Sequence, residues 1–423
     1  MLGTDFAHLP AGSPSNGRRQ FIKAAGATGV AILALTPEWS FAAGLSADPI
    51  NIAVIGAGRH ARAILDELSK FENAKVTAIC DIVPSRLSAA LRRVQGATGY
   101  ADHKDLLAKA TDVTVVFVVT PTHTHKEISL DAIAAGKHVF IEAPMAHTIE
   151  DCAEIARAAR SSSKVVHVGL YARSNPIYKL ARTFFRSDSV RDLVTMRAQS
   201  NRKNEWRVPV SDPKDDRALN WRLDPQVSIG LPGEFGCHQI DVFNWYLGKY
   251  PVSVSGTGSI RLHKDGRKVP DTTHATFLFE DGARLDWSAT LANSYEGQYE
   301  VLYGTNAAIK LAWTAAWMFK EADAPTQGWE VYANRQRFHN DEGITLIADA
   351  TKLASQGKLK EGVGLPNPPV YYAIGDFIDA IANAKPAVVS ADEGLRATAI
   401  SILANKAVLD GSRIDISPDS LKV

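Results

Sequence analysis

Residues 50–61, Ile50-Asn51-Ile52-Ala53-Val54-Ile55-Gly56-Ala57-Gly58-Arg59-His60-Ala61, constrain the fold of this chain more than any other stretch. A run of Ile and Val ends in Gly-x-Gly-x-x-Ala, and Ile64, Leu65, Leu68 and Phe71 follow at helical spacing. Strand, tight turn and helix in that order predict a βαβ unit whose turn cradles a dinucleotide. Gly56 permits the turn, and Gly58 lets backbone N–H groups approach a pyrophosphate. Ala61 keeps the helix close to the strand. Ala57, Arg59 and His60 complete the candidate cofactor-binding turn. A second strand, Lys75–Cys80, ends at Asp81, roughly 20 residues past the glycines, where a carboxylate accepts ribose hydroxyls and favours NAD. Arg86 is placed to face a 2′-phosphate, so NADP stays open.

Helix and strand go on alternating: a helix over Pro84–Val94, a buried β-branched strand over Val113–Val119, a helix over Lys126–Ala135 and a strand over His138–Ile141. The loop Thr120-Pro121-Thr122-His123-Thr124-His125 follows the central strand, at the end of the sheet where α/β folds bind ligands. Thr120, Pro121, His123 and His125 are therefore candidate cofactor contacts. The two histidines lack a third ligand at a readable spacing, so no metal site is expected. The strand His138–Ile141 leads into Glu142-Ala143-Pro144, the helix Ile149–Ala159 is capped by Thr148, and Val165–Leu170 closes the sheet.

From Tyr171 the strands alternate between apolar and polar residues and are separated by turns: Leu193–Gln199, Val252–Arg261, Thr273–Phe279, Ala283–Leu291, Tyr299–Gly304 and Ala308–Ala312. Asp265-Gly266 and Asp281-Gly282 read as hairpin turns. The stretch Thr314–Gly343 reads as an irregular excursion, a lid or partner contact. Helices over Val370–Asn383 and Ser390–Asp410 end the chain. The expected fold class is an α/β N-terminal Rossmann domain, a doubly wound parallel sheet, followed by an α+β domain with an open, predominantly antiparallel sheet. The boundaries read as 48–170 for the first domain, 171–369 for the second, and 370–423 for helices and a tail packing back on both. Seven of the eight tryptophans lie beyond position 200, so the second domain carries the large flat surfaces.

A net charge of +1 with 22% charged residues gives no electrostatic case for nucleic acid. Cys80, Cys152 and Cys237 are too few and too scattered for a disulfide framework; Cys80 and Cys152 read as core residues, and no thiol chemistry is expected of Cys237. Residues 1–43 read as a targeting segment. Arg18-Arg19-Gln20-Phe21-Ile22-Lys23 resembles the twin-arginine export signal, with the apolar stretch Ala24–Leu35 and a cleavage site at Ser40-Phe41-Ala42-Ala43 behind it. The resemblance implies export by the twin-arginine translocation machinery to a periplasmic or other extracytoplasmic place; an uncleaved signal would leave a membrane anchor. That route carries folded proteins, which suits a chain that loads a nucleotide before leaving the cytoplasm.

The Gly-rich turn, Asp81, Thr120-Pro121 with His125, Ala135-Gly136-Lys137-His138-Val139 leading to Glu142-x-Pro144, and Gly233-Glu234-Phe235-Gly236-Cys237-His238-Gln239-Ile240-Asp241 with Trp245 carry a wider resemblance. Together with the terminal Phe377-x-x-Ala380-Ile381 and Gly394-Leu395-Arg396-Ala397 helices, they make about residues 50–415 resemble the glucose–fructose oxidoreductase and inositol dehydrogenase superfamily (Gfo/Idh/MocA). The resemblance implies bound NAD or NADP, oxidation or reduction of sugars and cyclic polyols, and homo-oligomers paired through the outer face of the antiparallel sheet. It also implies a catalytic Glu-Lys-Pro lysine and an Asp-x-x-x-His pair. Here Ala143 stands at the lysine, Glu234 at the aspartate, and His238 at the histidine, which makes His238 the expected general acid/base. Glu142 and Ala143 fall within the cofactor set. Four residues apart on a helix, Glu234 and His238 would share a face, and the carboxylate would raise and orient the imidazole. Arg173, Arg202 and Lys203 are candidates for replacing the lost cation, and Tyr171 and Asp241 for reaching the substrate.

Three functions fit these residues. One is an exported oxidoreductase of a sugar, glycoside or cyclic polyol with a tightly held cofactor. Another is an NAD-dependent glycosidase working by transient oxidation and elimination. The third is a non-catalytic binding protein marked by Ala143. Replacing Arg18 and Arg19 together by Lys is expected to hold a tagged chain in the cytoplasm; fractionation showing undiminished export would remove the signal.

Overall fold

The computed structural model of the chain describes residues 49–422 apart from 211, 329, 331–332, 339–340 and 348–363. The targeting segment expected over 1–43 lies outside the described residues. Six strands, β1 (Ile50–Ile55), β2 (Ala74–Cys80), β3 (Thr98–Tyr100), β4 (Val115–Val118), β5 (His138–Ile141) and β6 (Val166–Val168), form the first sheet. They are all parallel, in the order β3-β2-β1-β4-β5-β6. The order reverses between β1 and β4, which opens a crevice at the carboxyl ends of those strands. Ile52, Val54, Val116 and Phe117 are fully buried, as β-branched and aromatic runs are in a sheet covered on both faces. Burying each such side chain contributes about 1.5–3 kcal/mol.

The turn after β1 is set by a close approach. Gly56 has φ +96, and a Cβ there would lie 2.5 Å from the carbonyl oxygen of Val119. Only glycine meets both demands. The helix Arg59–Leu68 follows and buries Ala61, Ile64, Leu65 and Leu68, the face predicted from their spacing. Strand β3 and the helix His103–Lys109 were not anticipated. The first is three residues long, with Thr98 and Gly99 exposed, and the second is a seven-residue helix held by the Asp102 cap.

The second sheet has ten strands: β7 (Leu193–Asn201), β8 (Ser253–Ser259), β9 (Thr272–Leu278), β10 (Arg284–Thr290), β11 (Gln298–Gly304), β12 (Ala307–Ala312), β13 (Ala315–Lys320), β14 (Arg335–Phe338), β15 (Asp341–Leu346) and β16 (Arg413–Asp415). Their order is β14-β15-β13-β12-β11-β7-β10-β9-β8-β16, antiparallel except for the parallel pair β7–β10. The Asp281-Gly282 turn joins β9 to β10 with Gly282 at φ +84, as expected. The stretch 314–343 is not an irregular excursion. It supplies β13, β14 and the start of β15, and Ala316 and Met318 of β13 are fully buried. Its period was hidden because Ala315–Phe319 is apolar throughout, while β14 is a polar edge strand.

Two helices bind the sheets together. Pro369–Ala382 packs on Arg59–Leu68, whereas Ala391–Asp410 packs on Ile149–Ser161, on Cys237–Leu247 and on β8. A capping box starts the latter: Ser390 accepts from the Glu393 N–H, and Glu393 accepts from the Ser390 N–H. Among the described residues no helix is long and apolar enough to cross a membrane.

His167 of β6 is fully buried against Phe140 (centroids 5.1 Å) and Phe377 (5.8 Å), with no partner for either ring nitrogen. Burial lowers its pKa from 6.5 to about 3. Between those values the unfolded chain binds a proton that the native chain refuses, so stability falls as pH falls through that window. His167→Phe is expected to remove this loss. The difference in unfolding free energy between near pH 7 and near pH 5 should shrink by about 2 kcal/mol, read from urea midpoints.

Candidate active site

One cleft of about 920 Å³ runs from the Gly-rich turn to the second sheet. Gly56, Ala57, Gly58, Arg59 and His60 line it. The helix Arg59–Leu68 has no side-chain N-cap and no acidic residue in its first turn, so its leading N–H groups suit an anion. A Cβ at Gly58 would meet only Arg86 Nη1, at 3.9 Å, so the backbone there is open to a ligand and Arg86 stands beside it. Asp81 lines the cleft but is largely buried, and its oxygens accept the N–H groups of Ala57 (2.7 Å) and Val83 (2.8 Å). The carboxylate expected to face ribose thus also braces the turn. Beside it Ile82, 72% exposed, offers an apolar surface to a planar base.

Thr120, Pro121 and His123 also line the cleft. His125 lines the cleft as well, with its imidazole between carbonyl oxygens, Nε2 2.8 Å from that of Thr120 and Nδ1 3.0 Å from that of Pro144. It is buried and ties the loop to the segment after β5 rather than offering a nitrogen to a ligand. His123 stands edge-on to His147 and near Trp221. Among the described residues His103, Glu127 and Asp131 do come within metal-binding distance of one another. There Lys104 already pairs with Glu127 at 2.8 Å, and His103 bonds Asp131 at 2.9 Å.

At the centre lies Glu142, at the end of β5. The Tyr171 hydroxyl donates to its Oε1, and His60 Nε2 sits 3.2 Å from the same oxygen and 2.9 Å from the Tyr171 hydroxyl. Burial pushes the Glu142 carboxyl up, but His60 and the Tyr171 hydroxyl outweigh it and leave it below its ordinary value. Glu142 in turn raises the His60 imidazole above 6.5 against burial. Burial, then Glu142, hold the Tyr171 phenol well above its usual range, so it stays a donor. Ala143 lines the cleft, and among the described residues no lysine does.

His238 opens the helix Cys237–Leu247 and faces the cleft beside Tyr171 (centroids 5.7 Å). Its placement comes from its neighbour. Gln239, fully buried, donates through Nε2 to the carbonyls of Gln199 and Tyr299 (both 3.0 Å) and to Glu300 (2.8 Å), and accepts from the Trp287 indole (2.8 Å). This anchors the helix to the sheet through partners 40 to 61 residues away, which no local pattern reveals. The expected Glu234–His238 pair does not form. Glu234 instead accepts from Arg222 Nε (2.8 Å) and Thr122 Oγ1 (3.1 Å). Pro232–Gly236 is a π-helical turn, one residue wider than an α-turn, so four-residue spacing does not align the two side chains. Burial pushes His238 down to about 4, with Glu142 pulling the other way, and its Nδ1 is buried without a partner.

Three expected substrate residues are corrected. Arg173 and Asp241 meet each other: Arg173 Nη2 and Nε reach the Asp241 oxygens at 2.8 and 2.9 Å, and Arg173 also pairs with Glu393. Both are buried and neither lines the cleft, so their ion pair ties the lobes together. Lys203 is exposed and off the cleft, whereas its neighbour Arg202 lines it. Tyr171 reaches the cleft as the partner of Glu142.

Residues 50–170 match the model for the oxidoreductase family with an NAD-binding Rossmann fold, and residues 179–310 match the GFO/IDH/MocA C-terminal domain, together more than half of the chain. The chain belongs to the Gfo/Idh/MocA oxidoreductase family. It is 26% identical to the 2,7-anhydro-N-acetylneuraminate hydratase of Escherichia coli over 62% of this chain and 67% of that one. It is 29% identical to the inositol 2-dehydrogenase of Salmonella typhimurium over 48% of this chain and 54% of that one, so it spans about half of that relative. In fold it resembles levoglucosan dehydrogenase in complex with NADH and levoglucosan, at TM-score 0.69 and 19% identity, covering 87% of this chain and 100% of that one.

Within this Gfo/Idh/MocA site, the sequence found the Gly-rich turn, Glu142 and His238 but not the His60–Tyr171–Glu142 contact. Position 60 carried no charge signal, and its partners lie 82 and 111 residues away. Glu142→Gln is expected to let the His60 pKa fall to 6.5 or below, because burial and Arg222 then act unopposed, followed by the imidazole proton shifts in an NMR titration; an unmoved pKa would show that Glu142 is not what raises it.

Proposed function

We propose that the protein is an exported NAD(P)-dependent oxidoreductase of a sugar, glycoside or cyclic polyol, with His238 as general acid/base and a cofactor that stays bound. The observation that carries this reading is that one cleft holds both the open Gly-rich turn and the His238 imidazole, which stands beside Tyr171. The turn and helix N-terminus suit a pyrophosphate, Asp81 and Ile82 a ribose and its base, and the Thr120 loop with Glu142 the nicotinamide end. Bound NAD(P) supplies the hydride acceptor. His238, neutral near pH 7, takes the proton of the substrate hydroxyl, and the negative Glu142 nearby favours the imidazolium so formed. His60 brings to Glu142 the nitrogen donor that Ala143 cannot supply, and Tyr171 fixes the orientation of the carboxylate.

The NAD-binding family and the polyol and sugar dehydrogenases among the relatives support this class of reaction. Export through the twin-arginine machinery, retention of cofactor outside the cytoplasm, and pairing through the outer face of the large sheet belong to the same proposal. Val194 of β7, 58% exposed, supports the last. Ala143 and the hydratase relative favour a second reading, redox-assisted cleavage of a glycosidic bond, in which no reduced cofactor accumulates.

The purified mature chain is expected to carry NAD(H) or NADP(H) and to reduce or oxidise it with a sugar or cyclic polyol. Aglycone release from aryl glycosides without net reduction would decide for the second reading. His238→Ala is expected to lower turnover at least about a hundredfold with cofactor retained. Ala143→Lys should raise the dehydrogenase rate, and undiminished turnover in His238→Ala would remove His238 from the mechanism.

A further inference from the structure

The hairpin between β12 and β13 is closed by two residues, Trp313 and Thr314, between the paired Ala312 and Ala315. Trp313 has φ +61. Such a turn favours Gly or Asn, and a bulky aromatic residue in this region is an outlier. Neighbouring side chains hold it there. The Trp313 N–H donates to the Tyr178 hydroxyl (3.0 Å), and its carbonyl accepts from Asn175 Nδ2 (2.6 Å). Each of those side chains is itself fixed. The Tyr178 hydroxyl donates to the buried Glu300 (2.6 Å), and Asn175 Oδ1 caps the helix Pro176–Phe185 by accepting from the Ile177 N–H (2.9 Å). Tyr178 and Asn175 are fully buried.

The indole so placed stands at right angles to the His238 imidazole, centroids 6.1 Å apart, and lines the cleft with Glu142 and Tyr171. A turn alone calls for glycine, and an aromatic needed only for packing is better placed at negative φ. Strain held by its surroundings beside reactive groups is a mark of a functional position.

We infer that Trp313 is a specificity wall of the substrate pocket, taking the C–H face of a saccharide or cyclic polyol ring so that a ring hydroxyl lies at His238. This rests on the reading of the cleft as the site of an oxidoreductase, and it goes further in assigning the choice of a ring over an open-chain alcohol to one side chain. An indole offers a flat apolar face to ring C–H groups while the ring hydroxyls turn toward polar groups. A flexible acyclic alcohol presents no such face.

Trp313→Gly tests this, because it removes the indole and relieves the turn at once. In the NADH complex the variant is expected to keep its cofactor affinity and to melt no lower than the wild type. Its affinity for myo-inositol, D-glucose and methyl glucoside, measured by saturation-transfer NMR and calorimetry, should fall at least about tenfold. KM should carry the loss in turnover more than kcat, glycerol should be unaffected, and Trp313→Phe should stay within about threefold of the wild type. Undiminished ring affinity in Trp313→Gly, or an equal loss in Trp313→Phe, would overturn the wall. So would failure of the wild-type NADH complex to bind any of the ring compounds. Failure of the oxidoreductase reading itself would show separately, as a wild-type chain without nucleotide or turnover.

Discussion

A carboxylate that is almost wholly removed from water must be compensated by its neighbours, and at Glu142 the compensation comes from distant parts of the chain. Tyr171 supplies a hydroxyl from the turn after β6, and His60 an imidazole from the first turn of the helix that follows the glycines. The end of β5, the glycine turn and the entrance to the second lobe are held together by one negative charge. His238 belongs to the same electrostatic unit, since Glu142 is the group that pulls its imidazole up against burial. Ala143 therefore does not leave the carboxylate without a nitrogen partner, because the His60 imidazole reaches it from the other side of the nucleotide turn.

The second lobe sets the position of His238 by a different means. Gln239 is satisfied on both ends of its amide by the sheet, so the helix carrying His238 has little freedom to rotate. Glu300, raised by burial to about 7, sits at the crossing of this anchor with the Tyr178 hydroxyl. The network of buried polar groups places two pocket side chains, His238 and Trp313, from the same part of the core.

The first sheet was legible because its signals are local: β-branched runs, the Gly56–Gly58 pattern and Asp81 at the end of β2 can each be read within a few residues. What the sequence hid depends on distance or on irregular backbone. Arg173 and Asp241 lie 68 residues apart, and nothing in their spacing says that they will neutralise each other. Glu234 and His238 looked paired only under the assumption of a regular helix, which the π turn breaks. Asp81 and His125 were found, yet the Ala57 N–H and the Pro144 carbonyl that engage them belong to other loops and leave no pattern. Strand β13 was missed because a uniformly apolar run has no period to read.

A ten-stranded sheet that does not close on itself has two free edges, where unpaired N–H and C=O groups invite further strands. Among the described residues the outermost strands are β14 and β16, four and three residues long, and both carry arginine. Short, charged margins give an incoming chain little to pair with, so the sheet can be wide without becoming a template for fibrous aggregation.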